Sequence, residues 1–161
     1  MNAAITLGHG VHHPPGHRIP LDAADPVVHL THVLDAHRGE EAWWSPSLFD
    51  GDYRHGANWR AAWALAVDVD YHGSDGKKAR VPADLRARID ALVPTLRATL
   101  AHPTPCGLRV VAVLDAPITK IASYKRAATA LAADVMSALV SLLGDREALA
   151  IDYEATRDCV R

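Results

Sequence analysis

Asp68 and Asp70 stand two residues apart at the end of an apolar run, AAWALAVDVDY, that spans positions 61–71. An apolar run of this length ending in polar residues reads as a buried strand, and residues i and i+2 of a strand project to the same face. Two carboxylates on one face repel each other unless a cation lies between them. Mg²⁺ or Mn²⁺ suits that position, because hard ions take oxygen ligands and let a substrate phosphate complete their shell. A solvated strand end is the plainer reading of the same pair. A third acid, Asp152, interrupts a second apolar run, ALAIDY at 148–153. Alone it reads equally as a capping or salt-bridged residue. In a sheet that sets the two strands side by side, three carboxylates could hold two ions, the arrangement used for phosphoryl transfer.

The turn Thr104-Pro105-Cys106-Gly107-Leu108-Arg109 is the next candidate. A tight turn ending in Gly107, with Arg109 at a strand start, could offer backbone N–H groups and a guanidinium to a triphosphate. It could also be a simple hairpin turn. Lys77, Lys78 and Arg80, with Arg86 and Arg88 beyond them, form the densest basic stretch. They could follow a nucleic-acid backbone, or line a solvated helix face.

The elements that must carry these residues follow from periodicity and punctuation. Residues 1–26 are rich in His, Pro and Gly, and Pro14, Pro15 and Pro20 exclude a helix there, so an extended arm is expected. Its histidines, His9, His12, His13 and His17, lack a carboxylate or cysteine at a recognisable ligand spacing. Pro26 opens a short helix with Val27, Leu30, Val33 and Leu34 at helical spacing and Gly39 as its stop. From Glu40 to Trp59 the chain reads as irregular, with Trp43, Trp44, Phe49 and Trp59 either stacking bases or anchoring a long loop. A turn at 73–78 follows the Asp68 strand, then a helix from Pro82 through Leu100 that Pro94 should kink or divide. A short strand near 101–104, a Val-rich strand at 108–114, an alanine-rich helix at about 123–143 and a last strand at 147–154 complete the order. Strand, helix, strand, helix, strand suits an α/β (α+β) ferredoxin-like or RRM-like sheet with helices on one face.

The 161 residues imply one domain, 1–161, large enough to fold without staples, with a core at 60–161. Cys106 and Cys159 make neither a disulfide framework nor a zinc knuckle. With no apolar run of spanning length and no signal peptide, the cytoplasm is the expected compartment and no membrane partner is expected. A net charge of −2 argues against a plain DNA-binding module, so any nucleic acid would be held by a local basic patch. A replication-initiator nuclease would need a His-x-His triplet, which the ten histidines do not form. The tail ATRDCVR reads as the start of another element, so the chain is expected to be part of a longer protein.

AVDVDYHG, HPTPCGLRVVAVLD and LAIDYEATRDCVR, in that order over roughly 60–161, together resemble the archaeo-eukaryotic primase superfamily. The likeness is to its small primase–polymerase domains of phages and mobile elements. Members show DxD on a strand, an (S/T)-P-S-G-type turn into a second strand, and a single Asp on a later one. The resemblance implies an RRM-like catalytic sheet beneath an N-terminal helical and loop module. It also implies template-directed nucleotidyl transfer, a DNA primase or polymerase activity, with a two-metal Mg²⁺ or Mn²⁺ site on Asp68, Asp70 and Asp152. Thr104, Gly107 and Arg109 would bind the nucleotide, and Lys77, Lys78 and Arg80 the nucleic acid. Arg157 and Arg161 would be secondary phosphate contacts. Single-stranded DNA template and nucleoside triphosphates would be the partners, and a helicase could follow in the parent protein. Two features depart from the pattern: Arg109 stands where many members have His, and the turn is shorter. They leave open a catalytically weakened nucleic-acid-binding replication module of the same fold.

Overall fold

The structure, a computed structural model, describes residues 4–9, 16–21, 24–37, 42–50, 56–77, 79–96, 100–104, 106–143 and 151–152. These residues form a mixed α+β protein with three α-helices and two antiparallel sheets. The chain divides into two compact units, 1–65 with 113–125 and 159–161, and 66–112 with 126–158.

The first unit holds a three-stranded sheet of β1 (Ala4–His9), β2 (Gly16–Pro20) and β3 (Ala42–Ser45), in the order β2-β1-β3. Residues expected as an extended arm are thus strands: β1 pairs with β2 from Ala4↔Pro20 to Gly8↔Gly16. The reason is apolar burial. Ala4, Ile5 and Leu7 are all buried, and the buried Thr6 hydroxyl donates to the Ser47 carbonyl at 2.8 Å. The described part of the segment expected as irregular likewise holds strands. β3 pairs with β1, and β4 (Ser47–Phe49) pairs with the start of β5 (Trp59–Tyr71). Trp59 resolves one open choice. It is buried, donates through Nε1 to the Ser47 hydroxyl at 2.9 Å, and lies 5.8 Å from the Tyr124 ring between centroids. It is an anchor and presents no face for stacking a base. Helix α1 (Pro26–Ala36) begins where expected, with Pro26 in its first turn and the Asp25 carboxylate accepting from the Val28 N–H at 3.0 Å.

The second unit contains the later part of β5, then α2 (Ala83–Leu92), β6 (Leu100–Thr104), the start of β7 (Gly107–Ile118), most of α3 (Ile121–Leu143) and β8 (Ile151–Asp152). The larger sheet runs β4-β5-β7-β6, and β8 pairs antiparallel with the end of β5. Pro94 divides the helix as its missing N–H and fixed φ require: α2 ends at Leu92 and a 3₁₀ turn, Val93–Thr95, takes over. β5 is buried along most of its length, as an inner strand should be. Leu85 and Ile89 of α2, Val110 and Val111 of β7, and Val135 and Leu139 of α3 supply buried apolar side chains to this unit. No helix among the described residues is long and apolar enough to cross a membrane.

Replacing Trp59 by Phe removes the indole donor and leaves a buried Ser47 hydroxyl short of a partner. The urea midpoint is expected to fall, at unchanged denaturant slope, by the equivalent of about 1–2 kcal/mol.

Candidate active site

The candidate residues that can be described all fall within the second unit, around the end of β5. Strand alternation puts Leu65, Val67 and Val69 on one face of β5, and Ala64, Ala66, Asp68 and Asp70 on the other. Asp68 is partly exposed, whereas Asp70 is only 8% exposed. Burying a carboxylate this far is expensive without a compensating partner. Asp70 takes part in an interaction and, at this depth, is not a solvated side chain.

β5 and β7 run antiparallel here, and their approach is unusually close. The Tyr71 N–H donates to the Cys106 carbonyl at 2.6 Å. A Cβ placed on Gly107 would lie 1.7 Å from the Val69 carbonyl oxygen and 2.8 Å from its carbon. Only a residue without a side chain fits against the β5 backbone at this point. Two residues on, Arg109 meets Asp68 in a bidentate pair: Nε donates to one carboxylate oxygen, and Nη2 to the other at 2.6 Å. About a quarter of each side chain remains exposed. The planar fork of a guanidinium matches a carboxylate in this way, and a lysine could not reproduce it.

The turn before Arg109 is a tight hairpin. β6 and β7 pair from Leu100↔Val111 to Thr104↔Gly107, so two residues connect the strands. Its carbonyls are held by Arg86 of α2, which donates to the Gly107 oxygen at 2.8 Å and to the Thr104 oxygen at 2.7 Å. Asp90, one helical turn on, lies 3.9 Å from the same guanidinium. Arg86 read in the sequence as part of a basic stretch. The structure gives it a different task, clamping the turn, and nothing in its spacing from Thr104 or Gly107 signals that contact.

The loop after β5 is also tied back. The Ala79 N–H donates to the Tyr71 carbonyl at 2.9 Å and the Gly73 N–H to the Lys77 carbonyl at 2.9 Å. Gly76 supplies the left-handed backbone with φ of +73°. Lys77 and Arg80 are exposed on this short connection, which leaves the same end of β5 that carries Asp70.

The third acid arrives by strand pairing. β8 pairs with β5 through Asp70↔Asp152 and Tyr71↔Ile151. Positions directly opposite in an antiparallel pair share a face of the sheet, so the backbone aligns position 152 with positions 68 and 70. The Asp152 side chain lies outside the described residues, as do Lys78, Arg157 and Arg161. Among the described residues, no three His, Cys, Asp or Glu side chains converge. In donor chemistry Asp68 and Asp70 fit a hard divalent ion, but Asp68 already gives both oxygens to Arg109.

Comparison with known proteins finds no matching family model, no matching curated protein and no matching solved structure.

Gly107→Ala forces β7 away from the β5 backbone. It is expected to cost about 2–3 kcal/mol in a urea melt, at the upper end for overpacking, since the obstruction is main chain.

Proposed function

We propose that this chain is a metal-dependent nucleotidyltransferase domain of the primase–polymerase type, acting on nucleoside triphosphates along a single-stranded DNA template. The pairing of Asp70 with Asp152 across β5 and β8 carries the reading, because it aligns the third acid with the Asp68–Asp70 pair. The order of elements, β5-α2-β6-β7-α3-β8, and the strand order β8-β5-β7-β6 support an RRM-like sheet. α3 covers the opposite face: Leu131 and Val135 line a cleft with Val110, whose side chain alternates with that of Arg109. α3 therefore packs on the side of β7 away from Arg109.

Asp68, Asp70 and Asp152 would hold Mg²⁺ or Mn²⁺. Such ions, when bound, lower the charge barrier to attack of a hydroxyl on the α-phosphate and stabilise the departing pyrophosphate. The protein's own part is positioning. Gly107 lets β7 come close enough to bring Arg109 over the carboxylates, and Arg86 fixes the turn from which that strand starts. Arg109 would steady the triphosphate with its two-pronged donor set. Lys77 and Arg80, with Lys78, would contact the template phosphates.

The bidentate Asp68–Arg109 pair favours a second reading, a nucleic-acid-binding module of the same lineage in which the guanidinium has replaced the metal as the permanent counterion of Asp68. Primer extension on a single-stranded template with dNTPs and Mn²⁺ separates the two. The first reading predicts extended product that Asp68→Ala plus Asp70→Ala abolishes. Full product from the double variant, or none from the wild type at any metal concentration, would contradict it.

A further inference from the structure

On the nucleotidyl-transfer reading, we propose that Arg109 is the built-in competitor of the divalent ion for Asp68, so that ion entry releases Arg109 to the triphosphate and the two ligands bind with positive coupling. The proposal rests on geometry. Nε and Nη2 of Arg109 take one lone pair on each oxygen of Asp68, fill the position a chelating cation would occupy, and repel by charge an ion brought to the remaining lone pairs. Ion and guanidinium therefore cannot both hold Asp68 in full. Arg109 keeps about a quarter of its side chain exposed, so it can leave the carboxylate without crossing a packed core. Its backbone cannot follow. Gly107 is pressed against Val69, and Arg86 holds the turn's carbonyls, so movement is confined to the side chain.

A guanidinium expelled by an ion loses a charge-assisted pair and needs another anion within reach. The phosphates brought by the nucleotide supply it. By linkage, the factor by which the anion tightens ion binding equals the factor by which the ion tightens anion binding. Arg109 so deters ion capture in the absence of substrate. It also deters capture of a metal-free triphosphate, because its fork is occupied until Asp68 has another cation.

The exchange is measurable without turnover. Mn²⁺ is titrated into the nucleotide-free protein and read from the electron paramagnetic resonance signal of the free ion. Arg109→Gln, which removes the competitor, is expected to bind Mn²⁺ about tenfold more tightly than the wild type, with Arg109→Lys in between because it offers only a point charge. In the reverse arm, inorganic tripolyphosphate is titrated in the presence of EDTA. Asp68→Asn frees the guanidinium and is expected to bind about tenfold more tightly than the wild type, a gain that Asp68→Asn plus Arg109→Gln loses. Circular dichroism and urea midpoints establish that each variant is folded. Should Arg109→Gln fail to fold, Arg109→Lys and the tripolyphosphate arm still decide. Unchanged Mn²⁺ affinity in a folded Arg109→Gln, with binding still abolished by Asp70→Asn, would overturn the competition and leave the carboxylate site standing. No Mn²⁺ bound by the wild type or by Arg109→Gln would overturn the site itself.

Discussion

The contact between the start of β7 and the end of β5 governs what the rest of the second unit can do. At Gly107 the two backbones are too close for any Cβ, and the Tyr71–Cys106 hydrogen bond holds them there. That closeness sets the register in which Arg109 stands over Asp68. Arg86 reinforces it from α2 by taking the carbonyls on either side of the turn, so a helix, a hairpin and a central strand meet at one point. A guanidinium that satisfies two backbone carbonyls removes polar atoms that would otherwise be left wanting near a packed core.

The charge arrangement follows from that contact. Asp68 and Asp70 share one face of a largely buried strand, and Asp70 is almost fully covered. Carboxylates so placed need positive charge nearby. Arg109 provides part of it, and its planar fork does so with directional bonds as well as charge. Such a pair is a poor argument for stability by itself, because desolvation offsets much of its attraction. It is a better argument for a site with two arrangements, since the same carboxylate can be satisfied by an ion while the arginine turns to a phosphate.

Much of the second unit was legible in the sequence because its signals are local. The run 61–71 gave a strand, Pro94 ended the helix, and TPCG marked the turn that joins β6 and β7. The hidden parts depend on distant partners. β1 and β2 carry proline and histidines that read as an arm, and only the pairing of β1 with β2 and β3 and the burial of Ile5 and Leu7 make them a sheet. The segment between Glu40 and Trp59 reads as irregular because it is turn-rich, and its tryptophans leave both stacking and anchoring open. The hydrogen bond from Trp59 to Ser47 shows what that indole holds. Arg109 stood out in the sequence by its place after the turn, but nothing there could show that its partner is Asp68. Arg86 gave no signal, since a helical arginine looks the same whether it faces water or a turn.

The central claim is that Asp68, Asp70 and Asp152 share divalent ions and that Arg109 yields to them. Crystals soaked with Mn²⁺ and a non-hydrolysable nucleoside triphosphate, with data collected at the manganese edge, test it most directly. Anomalous peaks touching all three carboxylates, with Arg109 turned to the triphosphate, are the predicted result. Fully occupied nucleotide with no manganese at the carboxylates, and Arg109 still on Asp68, would contradict it.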